Sequence, residues 1–160
     1  MTVTQYLADW RPYPFEITQT RLEFDLAPSA TRVRSQIDFR RLSPGDLVLD
    51  GAGLTTLSLS IDGQALDQGL IDARTGQLII PAADLPDSFT FAAEVEINPE
   101  ANTALEGLYL SGGMFCTQCE AEGFRHITWY PDRPDVMAPF RVTIRSDQPV
   151  LLSNGNPVSS

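Results

Sequence analysis

The sequence predicts an all-β fold, an antiparallel β-sandwich with a long irregular segment near residues 111–138. Three observations carry this reading. Apolar and polar residues alternate with a period of two over most of the chain, as they do on strands that bury one face and wet the other. Turn-forming groups (Ala27-Pro28-Ser29-Ala30, Ser43-Pro44-Gly45-Asp46, Asp62-Gly63, Arg74-Thr75-Gly76, Asn98-Pro99) punctuate the alternation at spacings of about 8–12 residues, which suits a sandwich. Neither an amphipathic helical pattern nor an internal repeat interrupts it.

Met1 to Pro14 carry Trp10, Pro12 and Pro14, a proline density that favours an extended, irregular lead-in. Over Arg21–Ala27, Leu22, Phe24 and Leu26 face one side, with Arg21, Glu23 and Asp25 on the other. Over Thr31–Arg41, Val33, Ser35, Ile37 and Phe39 oppose Arg32, Arg34, Gln36, Asp38 and Arg40, with a hairpin turn predicted between the two runs. Leu47–Asp50 is a short strand, and Leu57, Leu59 and Ile61 mark another. The Asp62-Gly63 pair that follows predicts a type I′ turn, because glycine accepts positive φ. Short strands are expected at Leu70–Asp72 and Gln77–Ile80, and a loop at Pro81–Asp87. Ser88–Ile97 is the cleanest strand, with Phe89, Phe91, Ala93, Val95 and Ile97 inward. Phe140, Val142 and Ile144 alternate again, and Val150–Leu152 is read as a last strand. The end, NGNPVSS, opens a turn with almost nothing after it, as expected of one β domain, residues 1–160, cut from a longer polypeptide.

Charge excludes some functions. A net charge of −10 provides no basic footprint for nucleic acid. No apolar run approaches the roughly 20 residues of a membrane span, and the N-terminus shows no secretory pattern, so a cytoplasmic protein with no membrane partner is expected. The single histidine excludes the two-histidine H-E-x-x-H motif, and neither a P-loop, a G-x-G-x-x-G run nor a G-x-S-x-G elbow is present.

The alternation stops between Leu105 and Asp135, where both cysteines and the lone histidine gather among polar side chains. Cys116-Thr117-Gln118-Cys119 with His126 makes three zinc ligands, one short of a structural site. No βαβ unit surrounds the pair as a thioredoxin-type motif needs. Two thiols packing as small hydrophobes is the preferred reading. Were the chain to stay extended here, Gln118, Glu120 and Glu122 would share one face, and Gln118 with Glu120 could offer oxygens to a cation; solvated surface glutamates are the competing reading. Arg125, Asp132, Arg133 and Asp135 alternate in sign around Trp129, Tyr130, Pro131 and Pro134, which fits either an ion-paired loop packed on aromatics or a docking surface.

NTALEGLY, CTQCEAEGFRHITWYPDRPDV, FRVTI and LLSNGN together resemble the N-terminal domain of bacterial aminopeptidase N, a family of zinc aminopeptidases, strongly from Asn102 to Asn156 and weakly over the first hundred residues. The resemblance implies a saddle-shaped β domain stacked on a thermolysin-like catalytic domain. It implies that Gln118 and Glu120 bind substrate: they line the site for the peptide's free amino terminus, with a glutamate from the G-x-M-E-N loop of the catalytic domain. It gives Glu122 no such role. The zinc ligands, the general base and that loop belong to a domain this chain lacks. The expectation is therefore no catalytic residue and no metal site here, with zinc in the parent enzyme's catalytic domain. The partners expected are that domain and the peptide substrate, and this chain alone is expected to be inactive. The competing reading is a free-standing adaptor module that uses the Trp129–Asp135 loop as a protein interface.

Overall fold

The computed structural model describes residues 7–158, so Met1–Tyr6 of the lead-in expected over Met1–Pro14 lie outside the described residues. Two long strands, β1 (Phe15–Asp25) and β2 (Thr31–Arg41), pair antiparallel across the expected hairpin turn. The Thr31 hydroxyl closes that turn, donating to the Ala27 carbonyl at 2.6 Å. Then follow β3 (Leu47–Asp50), β4 (Thr55–Ile61), β5 (Gln64–Ala65), β6 (Ile71–Asp72), β7 (Gln77–Ile80) and β8 (Ser88–Ile97). β9 (Gly107–Ser111), β10 (Met114–Gln118) and β11 (Phe140–Arg145) are the last strands among the described residues. A six-stranded sheet runs in the order β11-β1-β2-β8-β4-β5, a three-stranded sheet in the order β3-β7-β6, and β9 with β10 forms a separate hairpin.

Alternation on the central strands translates directly into burial. Val33, Ile37 and Phe39 of β2 meet Val95, Phe91 and Phe89 of β8 in register, all of them buried. They share one core with Leu47, Leu49, Leu78 and Ile80 of the smaller sheet. On the wet face the charges pair across strands: Arg21 with Asp38 at 2.9 Å, Arg34 with Asp25 at 2.7 Å, and Arg145 with Glu23 at 2.9 Å. At Asp62-Gly63 the φ values of 48° and 79° are those of the type I′ turn.

Four local expectations change. β1 begins at Phe15 rather than Arg21, because a bulge between Ile17 and Gln19 shifts the alternation; Phe15 and Ile17 are buried, and Thr20, Leu22 and Phe24 resume beyond it. A second bulge between Thr56 and Ser58 leaves Leu57 outside the core while Leu59 and Ile61 remain within it. β11 runs parallel to β1 in an otherwise antiparallel sheet. It occupies the sheet edge, so its alternation is not matched by burial, and Phe140 and Val142 are exposed. No strand forms over Val150–Leu152, whose side chains are exposed and which no strand flanks among the described residues.

The segment expected to be irregular near 111–138 is so only after Gln118. Its first part belongs to the β9–β10 hairpin, turned by Gly112-Gly113 with φ values of 57° and 84°. A Gly-Gly pair between two short runs is itself a hairpin signal, hidden here by the polar residues that follow it.

Candidate functional site

β10 ends at Gln118, and the chain bends at once. The amide Nε2 of Gln118 donates to the backbone carbonyl of Glu120 at 3.1 Å, and the Gly123 N–H donates to the Cys119 carbonyl at 2.9 Å, closing a turn. The extended geometry that would place Gln118, Glu120 and Glu122 on one face is therefore absent. Gln118 and Glu120 are nevertheless both exposed, two residues apart on one tight bend. The Glu120–Ala121 peptide is cis.

Beneath the bend the chain is close-packed. Gly123 is buried, and a Cβ on it would lie 2.5 Å from the Gln118 carbonyl oxygen and 2.8 Å from the Cys119 Cα. Only a residue without a side chain lets these backbones approach so closely. Gly107, at the start of β9, has φ of 73°, and a Cβ there would meet the Cβ of His126 at 2.6 Å. Two glycines thus seat the hairpin on the 3₁₀ turn Phe124–His126.

Residues 127–132 then run inside the protein. Ile127, Thr128, Trp129, Tyr130 and Asp132 are all buried. Each of three successive residues makes a bond to a different strand. Thr128 Oγ1 lies 2.9 Å from Ser35 Oγ of β2 in a buried hydroxyl pair. The Trp129 indole N–H donates to Thr56 Oγ1 of β4 at 3.0 Å. Tyr130 pairs its backbone with Asp50 of β3, accepting at 2.8 Å and donating at 3.2 Å. The Trp129 ring lies against Gly51, where a Cβ would come within 2.5–2.8 Å of the ring carbons. Burial pushes the Tyr130 phenol up to about 12 and raises that of Tyr13 further still.

This arrangement corrects the reading of Trp129–Asp135 as an exposed docking loop. The aromatic side chains that would anchor a partner lie in the core, holding the two larger sheets together, and the ion-paired, aromatic-packed alternative is what the chain adopts. Arg133 grips Asp135 through both carboxylate oxygens at 2.8 and 2.7 Å, and these hydrogen bonds hold the Asp135 carboxyl below the usual carboxylate range. The same guanidinium donates to the Arg11 carbonyl and lies over the Tyr13 ring.

Cys116 and Cys119 are free thiols, each partly buried. Burial, with a smaller contribution from the Asp132 carboxylate, pushes the Cys119 thiol up, which disfavours the thiolate that redox chemistry or metal binding requires. Among the described residues no group of three or more His, Cys, Asp and Glu side chains gathers to hold a metal ion, so Cys116, Cys119 and His126 do not form a zinc site. His126 instead faces Glu106, with Nε2 3.3 Å from the carboxylate. No helix among the described residues is long and apolar enough to cross a membrane.

The family model for the peptidase M1 N-terminal domain matches residues 19–160. The chain belongs to that family. As an M1 N-terminal domain it is 52% identical over 158 residues to aminopeptidase N of Caulobacter vibrioides, covering 96% of this chain and 18% of that relative. Among solved structures it is similar to aminopeptidase A of Legionella pneumophila in complex with aspartic acid, at a TM-score of 0.82 and 30% identity, over 94% of this chain and 18% of that one. An M1 zinc metallopeptidase from Deinococcus radiodurans shares the fold at a TM-score of 0.66 and 16% identity, over 82% of this chain and 32% of that one. The chain thus spans under a fifth of the length of the aminopeptidase N that it matches.

Two contacts within the M1 N-terminal domain have little signature in the sequence. The half-buried Arg125–Asp132 pair and the buried Ser35–Thr128 contact join residues whose types predict nothing about each other; only the alternating charges over Arg125 to Asp135 hint at the first.

Proposed function

We propose that this chain is the N-terminal domain of a longer zinc-dependent aminopeptidase, where Gln118 and Glu120 hold the substrate's free α-ammonium and the domain docks on a catalytic domain. The observation that carries the reading is the shape of the bend after β10. It exposes an amide and a carboxylate two residues apart, and one N–H of the amide donates to the Glu120 carbonyl. Gln118 Oε1 and the Glu120 carboxylate are then acceptors carried on one bend. An ammonium has three donors and no acceptor, so a site for it wants oxygens.

A carboxylate about 4 Å from the ammonium is worth roughly 4 kcal/mol before desolvation costs, at the effective dielectric of a partly exposed site. Holding the ammonium in place sets the first peptide bond at the reaction centre, so residues are removed from the end of a chain. Zinc held by the catalytic domain would polarise the scissile carbonyl and activate the attacking water. Gln118 and Glu120 bind and orient; neither transfers a proton. The chain alone is expected neither to bind zinc tightly nor to cleave peptides.

The experiment is substitution in the parent enzyme. Glu120→Ala should raise KM and lower kcat/KM for aminoacyl substrates, because the ammonium loses an acceptor. Unchanged kinetics would remove the anchoring role. A coding sequence that continues past Ser160 without an H-E-x-x-H and a downstream glutamate would remove the aminopeptidase reading altogether.

A further inference from the structure

The exposed bend is connected to the rigid interior through one ion pair. Asp132 has its carboxylate only 9% exposed, and its Oδ2 accepts from both the backbone N–H and the Nε of Arg125, at 3.1 and 3.0 Å. Arg125 returns a bond from Nη2 to the Asp132 carbonyl at 3.1 Å. The Arg125 carbonyl accepts from the Ala52 N–H at 2.9 Å, tying the turn to the segment after β3. The same Nη2 lies 3.5 Å from Oε2 of Glu122. One side chain thus touches both the buried strap and the exposed bend.

The backbone makes the same connection. Arg125 sits in the 3₁₀ turn that follows Gly123, and Gly123 lies directly under the Gln118 carbonyl and the Cys119 Cα. A shift of that turn has no slack to absorb it before it reaches Gln118. Taking the Asp132 carboxylate out of water is a poor way to add stability, since its desolvation cost offsets much of the attraction to its partner. Planar, multiply bonded geometry is what an arginine–carboxylate pair supplies.

We propose that Arg125 and Asp132 are positioning residues that set the Gln118–Glu122 bend, and through it the spacing of the Gln118 amide and the Glu120 carboxylate that receive the substrate ammonium. The inference rests on the anchoring role proposed above for Gln118 and Glu120. Asp132 fixes the guanidinium; the guanidinium and its 3₁₀ turn fix the bend. A misplacement of about 1 Å at a positioning group can cost up to a hundredfold in rate or binding.

The test uses the full-length enzyme and two competitive inhibitors, an amino acid amide and its des-amino analogue, which differ only in the ammonium. Asp132→Asn is expected to raise the inhibition constant of the amide by roughly tenfold and leave the des-amino analogue unchanged, a loss of the size a displaced anchor produces. Arg125→Lys keeps a positive charge but loses the fork, and is expected to lower the preference for the amide by a smaller factor; it serves if Asp132→Asn does not fold. Weakening of both inhibitors in parallel by these variants marks a purely structural pair and overturns the proposal. So does an unchanged preference in both variants when Glu120→Ala abolishes it, an outcome that leaves the anchoring role standing. If Glu120→Ala itself keeps the preference, the anchoring role falls and the positioning proposal falls with it.

Discussion

Two halves of one short segment behave oppositely. From Gln118 to Glu122 the chain is a surface bend whose side chains are mostly exposed, and hydrogen bonds along the chain shape it. From Ile127 to Asp132 it is a strap through the interior, bonded residue by residue to β2, β4 and β3. Gly123 and Arg125 lie at the junction. The contrast teaches how a β domain can present charged side chains at its surface on a well-defined bend: the exposed part is brief, and its far end is anchored in the core. Substitutions of the buried strap residues Thr128 and Trp129 should cost folding energy, whereas substitutions of the exposed bend should leave it nearly unchanged.

The sharpest way to break that contrast is Trp129→Ala. The ring is buried against Gly51, and its indole bonds to Thr56, so the truncation should cost about 3–5 kcal/mol in denaturant unfolding. A loss under about 1 kcal/mol would mean the strap is not part of the core. Gly51→Ala approaches the same contact from the other side. Its Cβ would press on the ring carbons, and a loss of about 1–3 kcal/mol is expected from overpacking.

Thr128→Val removes one partner of the buried hydroxyl pair with Ser35 while keeping the shape, and should cost about 1–3 kcal/mol, because the Ser35 hydroxyl loses its partner away from water. The double change Thr128→Val with Ser35→Ala should recover part of that loss, and a thermodynamic cycle of unfolding free energies would show it.

Alkaline pH probes the same interior through Tyr130. Its phenol rises from an ordinary 10.0 to about 12 in the folded protein, because burial disfavours the phenolate. The unfolded chain therefore loses this proton first. The contribution to stability is complete below pH 10 and is lost as pH rises through about 12. Chemical unfolding at pH 9 and pH 11 should show the decline, and Tyr130→Phe should reduce it. Asp135 acts in the opposite direction: Arg133 lowers its folded value, so its contribution is present above the ordinary carboxylate range and fades as pH falls through the lowered value.

The smallest expected effect on folding lies in the bend. Glu120→Gln changes an exposed side chain and should move stability by no more than about 0.5 kcal/mol, whatever it does to substrate binding. A larger loss would show that the Glu120 side chain itself contributes to folding.

Central strands were the legible part of the fold. β2 and β8 match their expected bounds residue for residue, because each has two hydrogen-bonded neighbours and one face on the core. Errors gathered where one condition fails. Bulges in β1 and β4 break the count of two, β11 lies at an edge, and Val150–Leu152 has apolar residues without a neighbouring strand. In the candidate site, Gln118 and Glu120 are singled out by the resemblance, but the sequence did not show their geometry. The extended run assumed for them ends at Gln118, since Gly123 lets the backbone fold back onto itself.

By itself the amino-acid sequence determined an all-β domain with one wet and one dry face on its long central strands, since alternation is a local property that such a strand repeats along its length. The tertiary structure alone decided that Trp129 and Tyr130 turn inward, that Arg125 meets Asp132, and that the bend at Glu120 stands outside them. Those contacts join Ser35 to Thr128, Thr56 to Trp129 and Asp50 to Tyr130, pairs far apart along the chain. Each contact occurs once, so no periodicity records it, and only packing the strands into sheets brings its two halves within bonding distance.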